Sequence, residues 1–216
     1  MSGPDTPARK LLIADDHPII VLALAEMLKV ALGEHDIQIE SVVDGGHLLD
    51  RLNNGPCDCV VLDMHMPGAI QGLSLLRAVL AMQPRLPVMI YTGAVQPCLA
   101  QAALEFGARA YVSKASGPQV AIEAIRAMFD GQMFVDPAID MDAARKHPWN
   151  GLTPGERVVM IALAKGEHLD AIAIDSGRSY KTVTAHKYNA LRKLGLRSRD
   201  EIGRYLAQHG LGYLLE

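Results

Sequence analysis

Cysteine is scarce in this chain and odd in number: there are three, two of them in the tight pair Cys57 and Cys59. That excludes a disulfide framework, and no His or further Cys follows at zinc-ligand spacing. Long apolar runs are missing too. The longest apolar region, Ile19 to Leu32, is broken by Glu26 and Lys29, short of the roughly 20 uninterrupted apolar residues a membrane span needs. The opening MSGPDTPARK lacks the apolar core of an export signal. A reduced, cytoplasmic protein with no membrane partner is expected. A third absence is local: from Arg178 to Arg199 there are seven basic residues and no Asp or Glu. A solvated helix face usually interleaves Glu with Lys. A pure run of bases favours a polyanion as partner.

The 216 residues carry a net charge of −3 and leave room for two cores. The charge is unevenly spread: residues 151–210 hold ten bases and six acids, so this part is net +4 and the remainder −7. Short aliphatic runs (KLLIAD, IQIESV, CVVLD, LPVMIYT, AYVSK) alternate with longer amphipathic ones. Uniformly apolar strands imply cover on both faces, so the expected fold is a doubly wound α/β domain with a five-stranded parallel sheet. After Gly131 the alternation stops. Residues 132–150 read as a linker, with polar residues, prolines and an Asn-Gly pair. Only helical signals follow, including LTPGERVVMIALAKG with Thr153 as its cap and SYKTVTAHKYNALRKLG. The expected layout is a first domain at 8–131, the linker, and an all-α four-helix domain at 151–212.

Ligands of doubly wound folds bind outside the carboxyl ends of the strands. Asp15 and Asp16 close the first expected strand, Asp63 the third, Thr92 the fourth and Lys114 the fifth. Three carboxylates, a hydroxyl and an ammonium thus converge on one cleft. Carboxylates so close repel one another unless a cation sits among them, and a hard, oxygen-liking ion such as Mg2+ fits. The set describes a phosphoryl pocket. Asp15 or Asp16 acting as a helix cap is the plainer alternative. His17 and His65 are expected as surface or loop residues rather than ligands through their rings.

The strings DDHP (15–18), VLDMHMPG (61–68), YTGA (91–94) and YVSK (111–114) resemble those of bacterial response-regulator receiver domains. The resemblance spans residues 10–131. It implies that Asp63 is the phosphoacceptor, served by a partner sensor histidine kinase. Asp15, Asp16, Asp63 and the backbone carbonyl of His65 would hold Mg2+. Lys114 and Thr92 would contact phosphoryl oxygens, and Tyr111 would be the aromatic switch that answers Thr92. Two local departures stand out: MPGAIQG has one residue more between Pro67 and Gly72 than the commonest pattern, and Ala115 follows Lys114 where many receivers carry Pro.

In the second half LTPGE (152–156), LAKG (163–166) and KTVTAHKYNALRKLGLRSR (181–199) resemble the LuxR/NarL-type helix-turn-helix. Helical arithmetic places Val183, His186, Ala190 and Leu194 on one stripe and Lys181, Ala185, Tyr188 and Arg192 on the other. The first stripe packs. The second suits a major groove, with Lys187 beside the packed stripe and reaching for a phosphate. The resemblance implies contacts with double-stranded DNA from Lys181, Thr182, Thr184, Ala185, Lys187, Tyr188 and Arg192.

Together these imply a two-component transcription regulator of the NarL/FixJ type that forms a homodimer when phosphorylated. Its phosphoryl chemistry is stoichiometric, so it is no enzyme. One rival is a regulator that binds DNA without phosphorylation, under a ligand or partner. Another is a haloacid-dehalogenase-like phosphatase, which wants a second acid two residues after its nucleophile, where this chain has His65.

Overall fold

The computed structural model describes residues 8–33 and 35–215; the opening MSGPDTP lies outside them. The chain forms two compact units. One runs to Val95 and from Ala100 to Ile139, and the other holds Asp140 onward together with Gln96–Leu99.

The first unit alternates strands and helices: β1 (Arg9–Ala14), α1 (Pro18–Leu32), β2 (Ile37–Val42), α2 (Gly45–Asn53), β3 (Cys59–Leu62), α3 (Gly72–Met82), β4 (Val88–Thr92), α4 (Pro97–Glu105), β5 (Ala110–Ser113) and α5 (Pro118–Phe129). The strands are parallel, in the order β2-β1-β3-β4-β5, and a sixth, β6 (Phe134–Val135), joins at the β5 edge. β3, β4 and β5 are buried along their whole length, as strands covered on both faces must be. Leu11, Ile13, Val61, Met89 and Val112 pack on one face with Leu24 and Leu28 of α1 and Ile122 and Ile125 of α5. Each such side chain contributes about 1.5–3 kcal/mol by leaving water.

The sheet has six strands, not the five expected. β6 is two residues long, too short to show a period in sequence. It exists because the open edge of β5 supplies partners: Phe134 N donates to Arg109 O at 3.0 Å and Asp136 N to Tyr111 O at 2.9 Å. The segment expected as linker therefore begins as sheet. It continues into α6 (Met141–Lys146), capped by Asp140, whose carboxylate accepts from Ala143 N.

The second unit continues with α7 (Pro154–Ala164), α8 (Leu169–Asp175), α9 (Tyr180–Leu194) and α10 (Ile202–Gln208). Thr153 caps α7 in a reciprocal box with Glu156, which satisfies two otherwise unpaired N–H groups. Trp149, Val159, Met160, Ile172, Val183 and Leu206 are among the side chains of its core. Gly155 lets α7 approach α9 closely: a Cβ there would lie 2.9 Å from His186 Nε2.

Candidate functional site

Strand order reverses between β1 and β3, the chain running outward to β2 before crossing back. Ala14 pairs with Leu62, and Asp63 N donates to Ala14 O at 2.9 Å, so the residues just past these two strands lie side by side. Asp15 and Asp63 follow there and are only 2% and 3% exposed. Lys114, just past β5, reaches both: its Nζ is 2.7 Å from Asp15 Oδ2 and 2.7 Å from Asp63 Oδ2. Burial pushes the Lys114 ammonium down, but hydrogen bonds to the two carboxylates outweigh it and hold its pKa above the ordinary lysine value.

Lys114 takes the Oδ2 atoms and leaves the Oδ1 atoms facing elsewhere. Asp63 Oδ1 accepts from His65 N at 3.3 Å, while the His65 ring is exposed. Asp15 Oδ1 accepts from His17 N at 2.9 Å. Neither Asp15 nor Asp16 caps α1: the cap position is His17, without a side-chain cap bond. Asp15, Asp16, His17 and Asp63 each place a ligand atom within 4.8 Å of the others. Asp16 Oδ1 is buried and receives no hydrogen bond among the described residues. An orphaned carboxylate oxygen among hard oxygen donors fits a divalent cation of the magnesium kind.

Thr92 is fully buried at the end of β4, and its Oγ1 accepts from Ala94 N at 3.3 Å. Tyr111 is also fully buried, and its phenol donates to Ala94 O at 2.8 Å. Burial first, and then the Asp63 carboxylate, push the Tyr111 phenol well above its ordinary value.

Sequence reasoning missed two residues here. Tyr91 is one: burial raises its phenol, and Lys114 and Asp15 both act on it, so it shares the pocket wall. Nothing in the sequence sets it apart from a core aromatic. Asp136 is another, 2% exposed inside the expected linker. Its Oδ2 accepts from Ser113 N at 3.0 Å and its Oδ1 from Ala138 N at 2.9 Å, which ties down the strand end that presents Lys114. Ser113 Oγ adds a bond from Ala115 N. These bonds brace the turn where a receiver proline is absent. The His17 ring, expected at the surface, is exposed, and its Nδ1 makes a 3.0 Å hydrogen bond to Asp15 Oδ1 and stands 2.9 Å from Asp16 Oδ1.

The second site is α9. Ser179 caps it, accepting from Thr182 N, and Gly195 ends it in the left-handed conformation, φ 70°. Val183, Ala190, Leu191 and Leu194 are buried, while Lys181, Thr182, Ala185, Tyr188 and Arg192 are exposed, Tyr188 to 62%. His186 and Thr184 are half-buried, and the Thr184 hydroxyl has no partner among the described residues. Lys187 is half-buried, with Nζ 4.3 Å from the Tyr188 ring centre, so its reach is along the aromatic. Lys193 turns inward from the basic run: its Nζ is 2.7 Å from Glu156 Oε2 and 3.2 Å from Gly151 O. Between α8 and α9, Ser176 bonds back to Ile172 O and Gly177 adopts φ 62°, which makes the polar turn tight without apolar residues.

A buried acidic pocket at the switch point of a doubly wound sheet, followed by a helical unit with a basic exposed helix, defines a class. Residues 11–126 match the response regulator receiver domain, and residues 150–206 match the bacterial regulatory proteins of the luxR family. The chain belongs to the response regulators, in the form that joins a receiver to a LuxR-type DNA-binding domain. It is similar at 30% identity to the transcriptional activator protein ExaE of Pseudomonas putida, over 93% of this chain and 97% of that protein. It is also similar at 30% identity to the nitrate/nitrite response regulator protein NarP of Escherichia coli (strain K12), over 91% and 93%. Among solved structures, the complex of the two-component response regulator RcsB with DNA is similar with a TM-score of 0.65 at 25% identity, covering 93% of this chain and 98% of that one. No helix of the described residues is long and apolar enough to cross a membrane.

Proposed function

We propose that Asp63 accepts a phosphoryl group from the phosphohistidine of a partner sensor kinase and that the phosphorylated chain dimerises and binds promoter DNA through α9. The observation that carries this reading is the Lys114 ammonium held 2.7 Å from the Oδ2 atoms of both Asp63 and Asp15. In the transfer the phosphorus–nitrogen bond of the donor breaks as Asp63 forms the new phosphorus–oxygen bond, and the donor imidazole leaves. Lys114 stays beside the acceptor to hold the incoming phosphoryl oxygens by charge-assisted hydrogen bonds. The Thr92 hydroxyl, which accepts from Ala94 N at 3.3 Å, turns toward those oxygens, and Tyr111 answers through its bond to Ala94. Asp15, Asp16, Asp63 and the His65 carbonyl would hold Mg2+, which supplies positive charge for the phosphoryl oxygens when bound. The product is a modified protein rather than a released compound, so the chemistry is stoichiometric.

On α9, Lys181, Lys187 and Arg192 are assigned to phosphates, and Thr182, Thr184, Ala185 and Tyr188 to the groove. Phosphate contacts position the helix and base contacts specify the site. ExaE is a transcriptional activator, NarP is a response regulator, and RcsB is solved with DNA, which favours this reading over a phosphatase.

The test is mass measurement after incubation with acetyl phosphate and Mg2+. The wild-type chain is expected to gain one phosphoryl group and Asp63→Asn none. Labelling that persists in Asp63→Asn overturns the assignment.

A further inference from the structure

We infer that His147 is a proton-operated latch: its neutral imidazole holds the turn Pro148–Gly151 and the buried Trp149 in the helical unit, and protonation in mild acid releases them.

The cap carries it. His147 stands just before the short 3-10 turn Pro148–Gly151, and its Nδ1 accepts from Trp149 N at 3.3 Å. An accepting nitrogen has no proton, so the neutral ring keeps its hydrogen on Nε2. That atom meets the Tyr205 hydroxyl of α10 at 3.5 Å. A second proton can go only to Nδ1, where it faces the Trp149 N–H. Two donors then oppose each other and the cap is lost. The stake is a core residue, since Trp149 is 5% exposed and packs in the centre of this unit.

The ring packing sets the sensitivity. The His147 and His209 rings are centred 4.6 Å apart, with Tyr205 4.4 Å from His209 and 5.9 Å from His147. Two imidazoles and a phenol thus join the turn to α10. Burial first, and then the charge of His209, hold the His147 imidazole below its ordinary value of 6.5. His209 is the one titratable neighbour that acts on the His147 ring, while the Cys98 thiol acts on Tyr205. Cations of the adjoining helices are engaged elsewhere: Arg145 of α6 with Asp142, Arg157 of α7 with Asn150 O, and Lys193 of α9 with Glu156. Because the closed form binds the proton less readily than the open one, the latch is whole above pH 6.5. It is lost as pH falls through the lower value of the closed form.

The turn also supports α9. Gly151 O, at its end, accepts from Lys193 Nζ at 3.2 Å. Opening the latch removes that support, so DNA affinity should drop in mild acid. This consequence depends on α9 being the DNA helix, as proposed above; the latch itself does not.

Trp149 is the single tryptophan of the chain, so the full-length protein reports on its own latch. Its emission is expected to shift to longer wavelength with a midpoint below pH 6.5 while helical circular dichroism persists, and the His147 ring, followed by proton NMR, should titrate with the same midpoint. His147→Asn, whose Oδ1 can replace Nδ1 as acceptor but takes no proton, should show no step. His209→Gln should move the step to higher pH. DNA affinity should fall across the wild-type step and not in His147→Asn, although added positive charge alone would raise it. An emission change that only accompanies loss of helix, a step that survives in His147→Asn, or an NMR midpoint apart from the emission step overturns the latch. A step without loss of DNA affinity overturns its link to α9.

Discussion

Tyr111 and Ala94 are joined by a 2.8 Å hydrogen bond from a fully buried phenol to a loop carbonyl, and the N–H of the same Ala94 is held by Thr92 Oγ1. One peptide segment is thus gripped from both sides, by the hydroxyl assigned to phosphoryl binding and by an aromatic of the neighbouring strand. Removing the phenol frees one side. Tyr111→Phe is expected to cost about 1 kcal/mol of stability and to speed amide exchange at residues 93–95. It should also narrow the gap in DNA affinity between phosphorylated and unphosphorylated protein. An unchanged gap would remove Tyr111 from the switch.

Lys114 is the counter-charge of two buried carboxylates, so it repels any cation that enters. At about 4 Å that repulsion is worth about 1–4 kcal/mol, depending on the local dielectric. Lys114→Met is therefore expected to bind divalent ions about tenfold or more tightly and to gain more in Tm on metal addition than the wild type. The same variant should lose acetyl phosphate labelling. Calorimetry with and without metal checks the first outcome and mass measurement the second.

Asp136 accepts two backbone N–H groups, those of Ser113 and Ala138. Asp136→Ala leaves both donors unpaired at a buried position, at a cost of about 2–4 kcal/mol. Because Ser113 precedes Lys114, the labelling rate of Asp63 is expected to fall as well, with Asp136→Asn retaining more of it than Asp136→Ala. Equal rates in all three proteins would reduce Asp136 to a fold-holding role.

Glu156 is buried, which pushes its carboxyl up, yet Lys193 and the Thr153 N–H outweigh burial and hold it below the ordinary value of 4.5. As pH falls the unfolded chain then takes up the proton before the folded one. The stabilisation is complete above 4.5 and is lost as pH drops through the lower folded value. Glu156→Gln is expected to lower stability by about 1 kcal/mol at neutral pH, with the difference vanishing in acid. A difference constant with pH would assign the effect to packing.

Tyr188 is the most exposed aromatic of α9, while Lys181 stands at its first turn. Lys181→Ala is expected to weaken binding to specific and random duplexes alike and to lower the salt slope by about one unit. Tyr188→Ala should cost about 1–3 kcal/mol on the preferred site only. Since Lys187 rests on the Tyr188 ring, any small uniform loss is separated by the double variant with Lys187→Ala. Equal weakening of both duplexes by Tyr188→Ala would place that face on the backbone instead of the bases.

The sequence by itself determined the doubly wound sheet, the strand-end positions of Asp15, Asp63, Thr92 and Lys114, and the two faces of α9. Each depends on a local period, two residues for a strand and 3.6 for a helix, so a short window of side chains carries it. The tertiary structure alone decided what these residues touch. β6 needed the free edge of β5, Asp136 reaches Ser113 from 23 residues away, and Lys193 leaves the basic face to meet Glu156 across 37 residues. The His17 ring turns toward its own neighbours Asp15 and Asp16, although its place in the sequence suited a solvent-facing residue equally well. A hydrogen bond or ion pair acts over about 3 Å and depends on direction, and neither distance nor direction exists until packing sets the strands and loops in place.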